Sequence, residues 1–357
     1  MIPALLQKLV NRTNLTEDEA RKGMETIMSG EATPAQLGAF VTAMRMKGET
    51  VDEITGCARA MRAMAVTIDV RGQAVSWESD GANQAEEIIV DTCGTGGDGA
   101  NTFNISTAVA FVAAGAGLTV AKHGNRAISS KCGSADVLER LGVNLSLSPA
   151  QVKACVHECG IGFLFAPLFH LAMKHAGPTR REIGIRSIFN ILGPLANPAN
   201  ANAQVLGVYE PDLTETLAMV LMRLGLKRAM VVHGHGTLDE FSLTGPSRVS
   251  AVVGSQIRTY TVTPADFGLQ QAHPGDLDGG NADQNAEILR RVFSGESGPK
   301  TDAVLINASA LLVTAGRAAD FKEGVSLARD IIAGGKAMDK LNHLVSVSNR
   351  LAAEGAK

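Results

Sequence analysis

The five cysteines of this 357-residue chain, Cys57, Cys93, Cys132, Cys155 and Cys159, are odd in number and include no C-x-x-C pair. A disulfide framework and a structural zinc site are therefore not expected, and a reducing cytoplasm is the expected location. Cys155 and Cys159 lie four apart on a predicted helix without a second cysteine or histidine pair at suitable spacing, and read as small apolar residues. A long apolar run is also missing. The best stretch, AVAFVAAGAGLTVA at 108–121, is short and broken by glycine, so no bilayer span is expected. The opening MIPALLQKLVNRTNLTEDEA is a short amphipathic segment without a signal-peptide core or cleavage site. Nor is charge of one sign in surplus: 33 basic and 36 acidic side chains leave a net charge of -3. Nucleic acid and anionic membranes are thus not expected as partners, and an anionic ligand has to be held by local features.

What is present points to an α/β protein. A hydrophobic fraction of 45% over 357 residues allows a large core, and 38 glycines suit tight turns and close backbone approaches. The first 65 or so residues predict three short helices, each opened by a capping box: Thr16 with Glu19, Thr33 with Gln36, and Thr50 with Glu53. From about residue 87 the pattern turns to strand, loop and helix. EIIVDT and LTVAKHG predict buried strands with NISTAVAFVAAGA as the helix between them. Ser148 and Gln151 cap a helix that runs to Gly160, before the strand IGFLF. VLGVY at 205–209, a helix at about 213–224 and RAMVVHG at 228–234 continue the succession. AVVGSQI and RTYTVT read as later β segments, followed by the loop GDLDGGNADQN. The chain is expected to close with two helices separated by the apolar run AVLINASALLVTAG.

The clearest chemistry lies in DTCGTGGDGANTFNIST, residues 91–107. Gly94, Gly96 and Gly99 satisfy G-x-G-x-x-G after a predicted strand, the dinucleotide-binding fingerprint. The acid that should hold a ribose about 20 residues on is missing, however, and Lys122, His123, Asn125 and Arg126 stand there instead. The lysine-serine ending of a Walker A loop is missing too. A phosphate or diphosphate socket fits better. Gly94, Gly96 and Gly97 leave backbone N–H groups unobstructed, and Asn104, Ser106 and Thr107 open a helix whose first N–H groups lack partners. Asp98 would repel phosphate and reads as a partner for a ribose hydroxyl, an amine or a metal-bound water. Lys122 and Lys131 add charge, and Ser129, Ser130 and Ser134 neutral donors, at the C-terminal end of the next strand. Taken singly, each has a plainer reading as a solvated charge or a capped turn; together they are less easily dismissed.

GTGGD with NTFNIST, then KHGNR and SSKCGSADVLE, then FLFAPLFHLAMKHAGPTRREIGIRSIFNILGPLANP at 163–198 and LDE at 238–240, closely resemble the anthranilate phosphoribosyltransferase family over most of the chain. That resemblance implies a nucleoside phosphorylase-like fold: a small helical domain at 1–70 joined by helices from about 170–195, and a large α/β domain with a mixed central sheet at 75–165 and 200–350. It implies transfer of phosphoribosyl from phosphoribosyl diphosphate to anthranilate in tryptophan synthesis, a Mg²⁺ cofactor, and a homodimer through the helical domain. It places the donor on Gly94, Gly97, Asp98, Thr102, Asn104, Ile105, Ser106, Thr107, Lys122, His123, Gly124, Asn125, Arg126, Ala127, Ile128, Ser129, Ser130 and Ser134. Anthranilate falls to Gly94, Asn125 and Arg180, with His123 and His170 lining the ring, and Mg²⁺ to Ser106, Asp239 and Glu240. Cys132 departs from the family's usual serine, Ser187 from threonine, and Phe169 and Leu171 from histidine and proline.

The residues agree with those roles on physical grounds. Paired carboxylates in a loop after RAMVV suit a hard cation, whereas His233 and His235, two apart, lack a third ligand for zinc. Among Arg180, Arg181 and Arg186, one planar guanidinium could meet a carboxylate in two parallel hydrogen bonds, the other two reading as surface cations or helix-end partners. A nucleoside phosphorylase is a rival reading, disfavoured because a nucleobase offers Arg180 no carboxylate. An inactive relative that binds protein or nucleic acid is disfavoured by the retained Asp239 and Glu240 and the charge of -3.

Overall fold

Four helices open the chain in the computed structural model, which describes residues 1–72, 87–127 and 131–355. They are α1 (Ile2–Val10), α2 (Glu17–Met28), α3 (Pro34–Lys47) and α4 (Val51–Ala63). The capping boxes of Thr16, Thr33 and Thr50 all close in both directions and start α2, α3 and α4. The additional helix, α1, has Met1 at its N-cap with no side-chain bond, so it lacks the signal that announced the others. Glu53 does more than cap. Fully buried, it also accepts from the Leu15 amide at 2.9 Å and from Lys47 Nζ at 2.8 Å, tying the α1–α2 and α3–α4 connections together.

The rest alternates: β1 (Ile89–Gly94), α5 (Ile105–Gly115), β2 (Thr119–Gly124), α6 (Ser134–Arg140), α7 (Pro149–Cys159), β3 (Ile161–Phe165), the single turn α8 (Ala166–Phe169), α9 (Gly177–Ile183), α10 (Ile188–Leu195), β4 (Ala203–Gly207), α11 (Leu213–Arg223) and β5 (Arg228–His233). A hairpin of β6 (Ser247–Val253) and β7 (Gln256–Val262) precedes α12 (Ala282–Phe293), α13 (Pro299–Thr314), α14 (Phe321–Ala333) and α15 (Lys336–Gly355). The seven strands form one mixed sheet in the order β3-β2-β1-β4-β5-β6-β7, parallel through β5 and antiparallel beyond it. The fold is nucleoside phosphorylase-like, as the resemblance implied.

Two expectations need correction. The hairpin turns at residues 254 and 255, inside the segment AVVGSQI rather than after it. The run AVLINASALLVTAG is not a spacer but lies almost entirely within α13, one of four closing helices. Every residue from Ala303 to Leu312 is buried, and a helix buried all round carries no amphipathic period to read.

Side-chain alternation along the strands sorts the core into two apolar clusters. Val205, Met230, Val232, Val249 and Ala251 face the layer that holds α5, α13, α14 and α15. Their neighbours Leu206, Ala229, Val231 and Val252 face α11, behind which α4 and α10 continue the cluster into the N-terminal helices.

Candidate active site

Ligands of open α/β sheets sit beyond the C-terminal strand ends, where the strand order reverses. Here the chain runs from β1 outward to β2 and β3 and then returns to β4 on the other side of β1, so the reversal lies between β1 and β4. Both strands end in glycine, and Gly94 and Gly207 are register partners. Asp239, delivered by the loop after β5, occupies the gap that their missing side chains leave. A Cβ at Gly94 would overlap its carboxylate, and one at Gly207 its backbone carbonyl. Gly94 is thus required for a close approach, not for backbone freedom; Gly97, at φ +71°, is required for its left-handed turn.

The acidic pair takes the very amides expected for phosphate. Gly96 N–H donates to Asp239 Oδ2 at 2.7 Å, and Ser106 N–H, in the first turn of α5, donates to Glu240 Oε1 at 3.1 Å. Asn104 does not cap α5; its side chain donates to the Cys132 carbonyl at 3.1 Å and accepts from Asn285 at 2.9 Å. Asp98 joins the acidic pair through a 3.5 Å approach of Asp239 N–H to its Oδ2. Burial, and then Asp98, push Asp239 up to about 7; burial, and then Asp239, push Glu240 up to about 8. Although both keep some solvent exposure, they lie deep between the strand ends. Facing them is Lys122, 3% exposed, with Nζ at 2.8 Å from the Thr92 carbonyl and 3.4 Å from Ser106 Oγ. Burial lowers the Lys122 pKa, opposed chiefly by the wholly buried Asp91. Asp91 in turn accepts from Asn197 Nδ2 at 2.8 Å and from His123 N–H at 3.2 Å.

This donor set is all oxygen: two carboxylates and the Ser106 hydroxyl, with negative charge in excess of Lys122. It fits a hard, partly hydrated divalent cation. Among the described residues no group of three or more His, Cys, Asp or Glu side chains forms a metal cage. His233 uses Nδ1 on the Val208 carbonyl at 2.9 Å, and His235 is exposed.

A second, drier cluster adjoins. His123 and His170 are 5% and 3% exposed, with ring centroids 5.0 Å apart. His123 Nε2 and both ring nitrogens of His170 lack a hydrogen bond of ordinary geometry. Burial, and then the other imidazole, lower His123 to about 3; burial lowers His170 to about 4, only partly offset by a loose approach of the Ala196 backbone. Both rings are neutral at pH 7. Arg180, half-buried on α9, lies over the Phe189 ring at 4.9 Å, and burial lowers its pKa.

The crevice therefore brings together Gly94, Gly97, Asp98, Ser106, Lys122, Asp239 and Glu240. Thr102 bridges to Asp278 at the rim. Ile105 and Thr107 turn their side chains inward at 1% exposure each, the Thr107 hydroxyl without a partner. Asn125 is exposed, its Oδ1 taken by the Arg126 amide at 2.8 Å and its carbonyl by Ser134 Oγ at 3.3 Å. A Cβ at Gly124 would overlap Ser134 Oγ. Arg126 pairs with Glu139 at 2.8 Å and Asp136 at 3.0 Å, and Ala127 N–H donates to Asp136 at 2.9 Å. Ile128, Ser129 and Ser130 lie outside the described residues.

Sequence reasoning missed Gly207 and Asn307. Asn307 accepts from Phe241 N–H at 2.8 Å and donates back to the Phe241 carbonyl at 3.0 Å, clamping the backbone beside Glu240. Its signal was a lone asparagine in an apolar run.

A helical bundle set on a mixed sheet, with an acidic pair at the strand reversal, defines the class. The family model described as "Glycosyl transferase family, helical bundle domain" matches residues 3–65, and "Glycosyl transferase family, a/b domain" matches 86–338. The chain is 52% identical to the anthranilate phosphoribosyltransferase of Acetivibrio thermocellus, over 98% of this chain and 97% of that one. The crystal structure of the Thermus thermophilus enzyme matches with a TM-score of 0.88 at 42% identity, covering 97% of this chain and 99% of that one. The Saccharomyces cerevisiae enzyme in complex with PRPP and Mg matches at 0.86 and 28% identity, covering 98% of both chains. The chain belongs to the anthranilate phosphoribosyltransferase family.

Proposed function

We propose that this chain transfers the phosphoribosyl group of 5-phosphoribosyl 1-diphosphate to anthranilate, giving N-(5-phosphoribosyl)anthranilate and diphosphate, in L-tryptophan biosynthesis. The observation that carries this reading is the crevice at the strand reversal, where the glycine loop, the N-terminus of α5, Lys122 and an acidic pair meet. The donor takes Gly94, Gly97, Asp98, Thr102, residues 104–107, 122–130 and Ser134. Ser106, Asp239 and Glu240 hold Mg²⁺, which when bound neutralises and orients the diphosphate leaving group. With the acidic pair engaged by that cation, the Gly96 and Ser106 amides would be free for the donor's oxygens.

Anthranilate meets Arg180 and Asn125 at its carboxylate or its surroundings, with Gly94 near the ring and His123 and His170 lining it. Neutral imidazoles add no positive charge beside a ribosyl carbon that becomes oxocarbenium-like. The aromatic amine is a weak base and is free as a nucleophile at neutral pH. The chain's task is then to hold that nitrogen in line with the departing diphosphate, in an inverting displacement without covalent intermediate. No acid, base or nucleophile side chain is assigned to the step.

The small domain comprises 1–70 with the helices at 170–195, and the large domain 75–165 and 200–350; packing of α9 on α3 and of α10 on α3 and α4 supports this division. Two copies pair through the helical domain, where Val10 and Met46 are 69% and 73% exposed. Among the described residues no helix is long and apolar enough to cross a membrane; five free cysteines suit a reducing cytoplasm as the place of work.

The test follows anthranilate fluorescence and diphosphate release together in a mixture of protein, donor, acceptor and Mg²⁺. Coupled, Mg²⁺-dependent loss of the one and release of the other is expected. A folded protein that binds donor without consuming anthranilate would send the assignment to another nitrogen acceptor.

A further inference from the structure

Arg186 reads from sequence as a surface cation or a helix-end partner, and it is exposed. Its guanidinium nevertheless has two specific partners. It donates to the carbonyl of Gly97, in the glycine loop, and it stacks on the Tyr209 ring at 4.3 Å from the centroid. Tyr209 is 6% exposed, just past the end of β4, so the platform is fixed. Arg186 itself stands in a short, doubly anchored link. Before it, Gly184 closes α9 in the left-handed region with its N–H on the Arg180 carbonyl at 3.2 Å. After it, Ser187 opens α10 with its own N–H on Asn190 Oδ1 at 3.0 Å. The Arg180 guanidinium rests on Phe189 of that same α10. Both arginines therefore belong to one short α9–α10 segment, Arg180 in the last turn of α9 and packed on α10, Arg186 in the link and bonded to the donor loop. On the loop side, Asp98 continues the connection, its carbonyl accepting from Thr237 Oγ1 and its carboxylate facing Asp239.

We propose that Arg186 is a positioning residue: by holding the Gly97 carbonyl against the Tyr209 platform it fixes the donor loop to the turn that carries Arg180, so that donor and acceptor sites are aligned together. This rests on the transferase reading above, which wild-type turnover tests separately. Gly97 is left-handed, so its carbonyl orientation sets which way the neighbouring N–H groups point. Releasing that carbonyl loosens the loop without removing a group that touches substrate.

Arg186→Ala should raise KM for phosphoribosyl diphosphate about tenfold, the weight of one charge-assisted hydrogen bond. Its Tm should stay within about two degrees of wild type, as for an exposed side chain. Arg186→Lys, which keeps the donor and loses the planar stack, should recover part of the loss. Tyr209→Leu, which removes the platform and no charge, should raise the donor KM several-fold, and Tyr209→Phe, which keeps the ring face, is its control. An unchanged donor KM in Arg186→Ala would return Arg186 to the surface. A raised KM in Arg186→Ala with none in Tyr209→Leu would mean that Arg186 acts on the ligand by charge, which would overturn the positioning role.

Discussion

The two halves of the cleft are built on opposite principles. The donor half is polar and pre-wired: the Gly96 amide is bonded to Asp239, the Ser106 amide to Glu240, and Lys122 to the Thr92 carbonyl and the Ser106 hydroxyl. The acceptor half is drier and largely unpaired, with three imidazole nitrogens of His123 and His170 lacking a hydrogen bond of ordinary geometry and the Arg180 guanidinium lying over the Phe189 ring. A buried polar group without a partner costs roughly 1–3 kcal/mol. The donor half therefore hides its binding groups by pairing them internally, and the acceptor half keeps them waiting. Exchange of partners is the expected event on one side, and gain of partners on the other.

That contrast breaks most severely at Gly207. A methyl group there has no room against the Asp239 backbone, so Gly207→Ala displaces the acidic pair as a unit. Misplacement of about 1 Å costs on the order of 100-fold. Turnover should fall at least that far with the acceptor half intact, which is checked by measuring anthranilate binding to the variant by calorimetry. Unchanged turnover would mean that Asp239 does not need its seat. Arg180→Ala should act on the other half alone. Loss of a charged hydrogen-bonding partner, roughly 1.5–3 kcal/mol, predicts a KM for anthranilate raised about tenfold to 100-fold, with the donor KM within a factor of two. Equal effects on both KM values would show the halves to be one site.

The donor half was also the more legible in sequence, because its parts are local. DTCGTGGD and NIST follow one another, and glycine, serine and lysine at strand ends carry meaning by themselves. What stayed hidden there were long-range fits: Gly207 opposite Gly94 is an ordinary glycine until the register is known, and Arg186 is an ordinary arginine until Gly97 is beside it. The acceptor half draws on residues 123, 170 and 180 from separate elements, and only family resemblance put them together. The same resemblance, not periodicity, suggested that helices near 170–195 pack with the N-terminal ones. In the fold, the capping boxes of α2, α3, α4 and α7 announced their helices, whereas α1, with no side-chain cap, and α13, buried all round, were missed, and the Asn281–Gln284 box that opens α12 was read as part of the loop GDLDGGNADQN.

The smallest effect is one of pH, and it opposes the halves directly. Asp239 and Glu240, folded at about 7 and 8, ionise near 4 when unfolded, so they cost no stability below pH 4 and an increasing amount as pH rises to 8. His123 and His170, folded at about 3 and 4 against about 6.5 unfolded, cost nothing above pH 6.5 and an increasing amount as pH falls toward 4. Between pH 4 and 6.5 the two slopes run against each other; above 6.5 only the carboxylates remain. Mg²⁺ favours the ionised pair and so should raise Tm more at pH 8 than at pH 5.5, by a few degrees at roughly 1–2 °C per kcal/mol for a chain of this length. His170→Phe removes one imidazole and should leave that Mg²⁺ increment at pH 8 as it is, while shifting Tm upward relative to wild type as pH falls from 6.5 to 4. Thermal melts at the two pH values, with and without Mg²⁺, separate the contributions. A Mg²⁺ increment that is equal at both would mean that the acidic pair is already ionised in the folded protein, and the internal pairing of the donor half would then be weaker than its hydrogen bonds suggest.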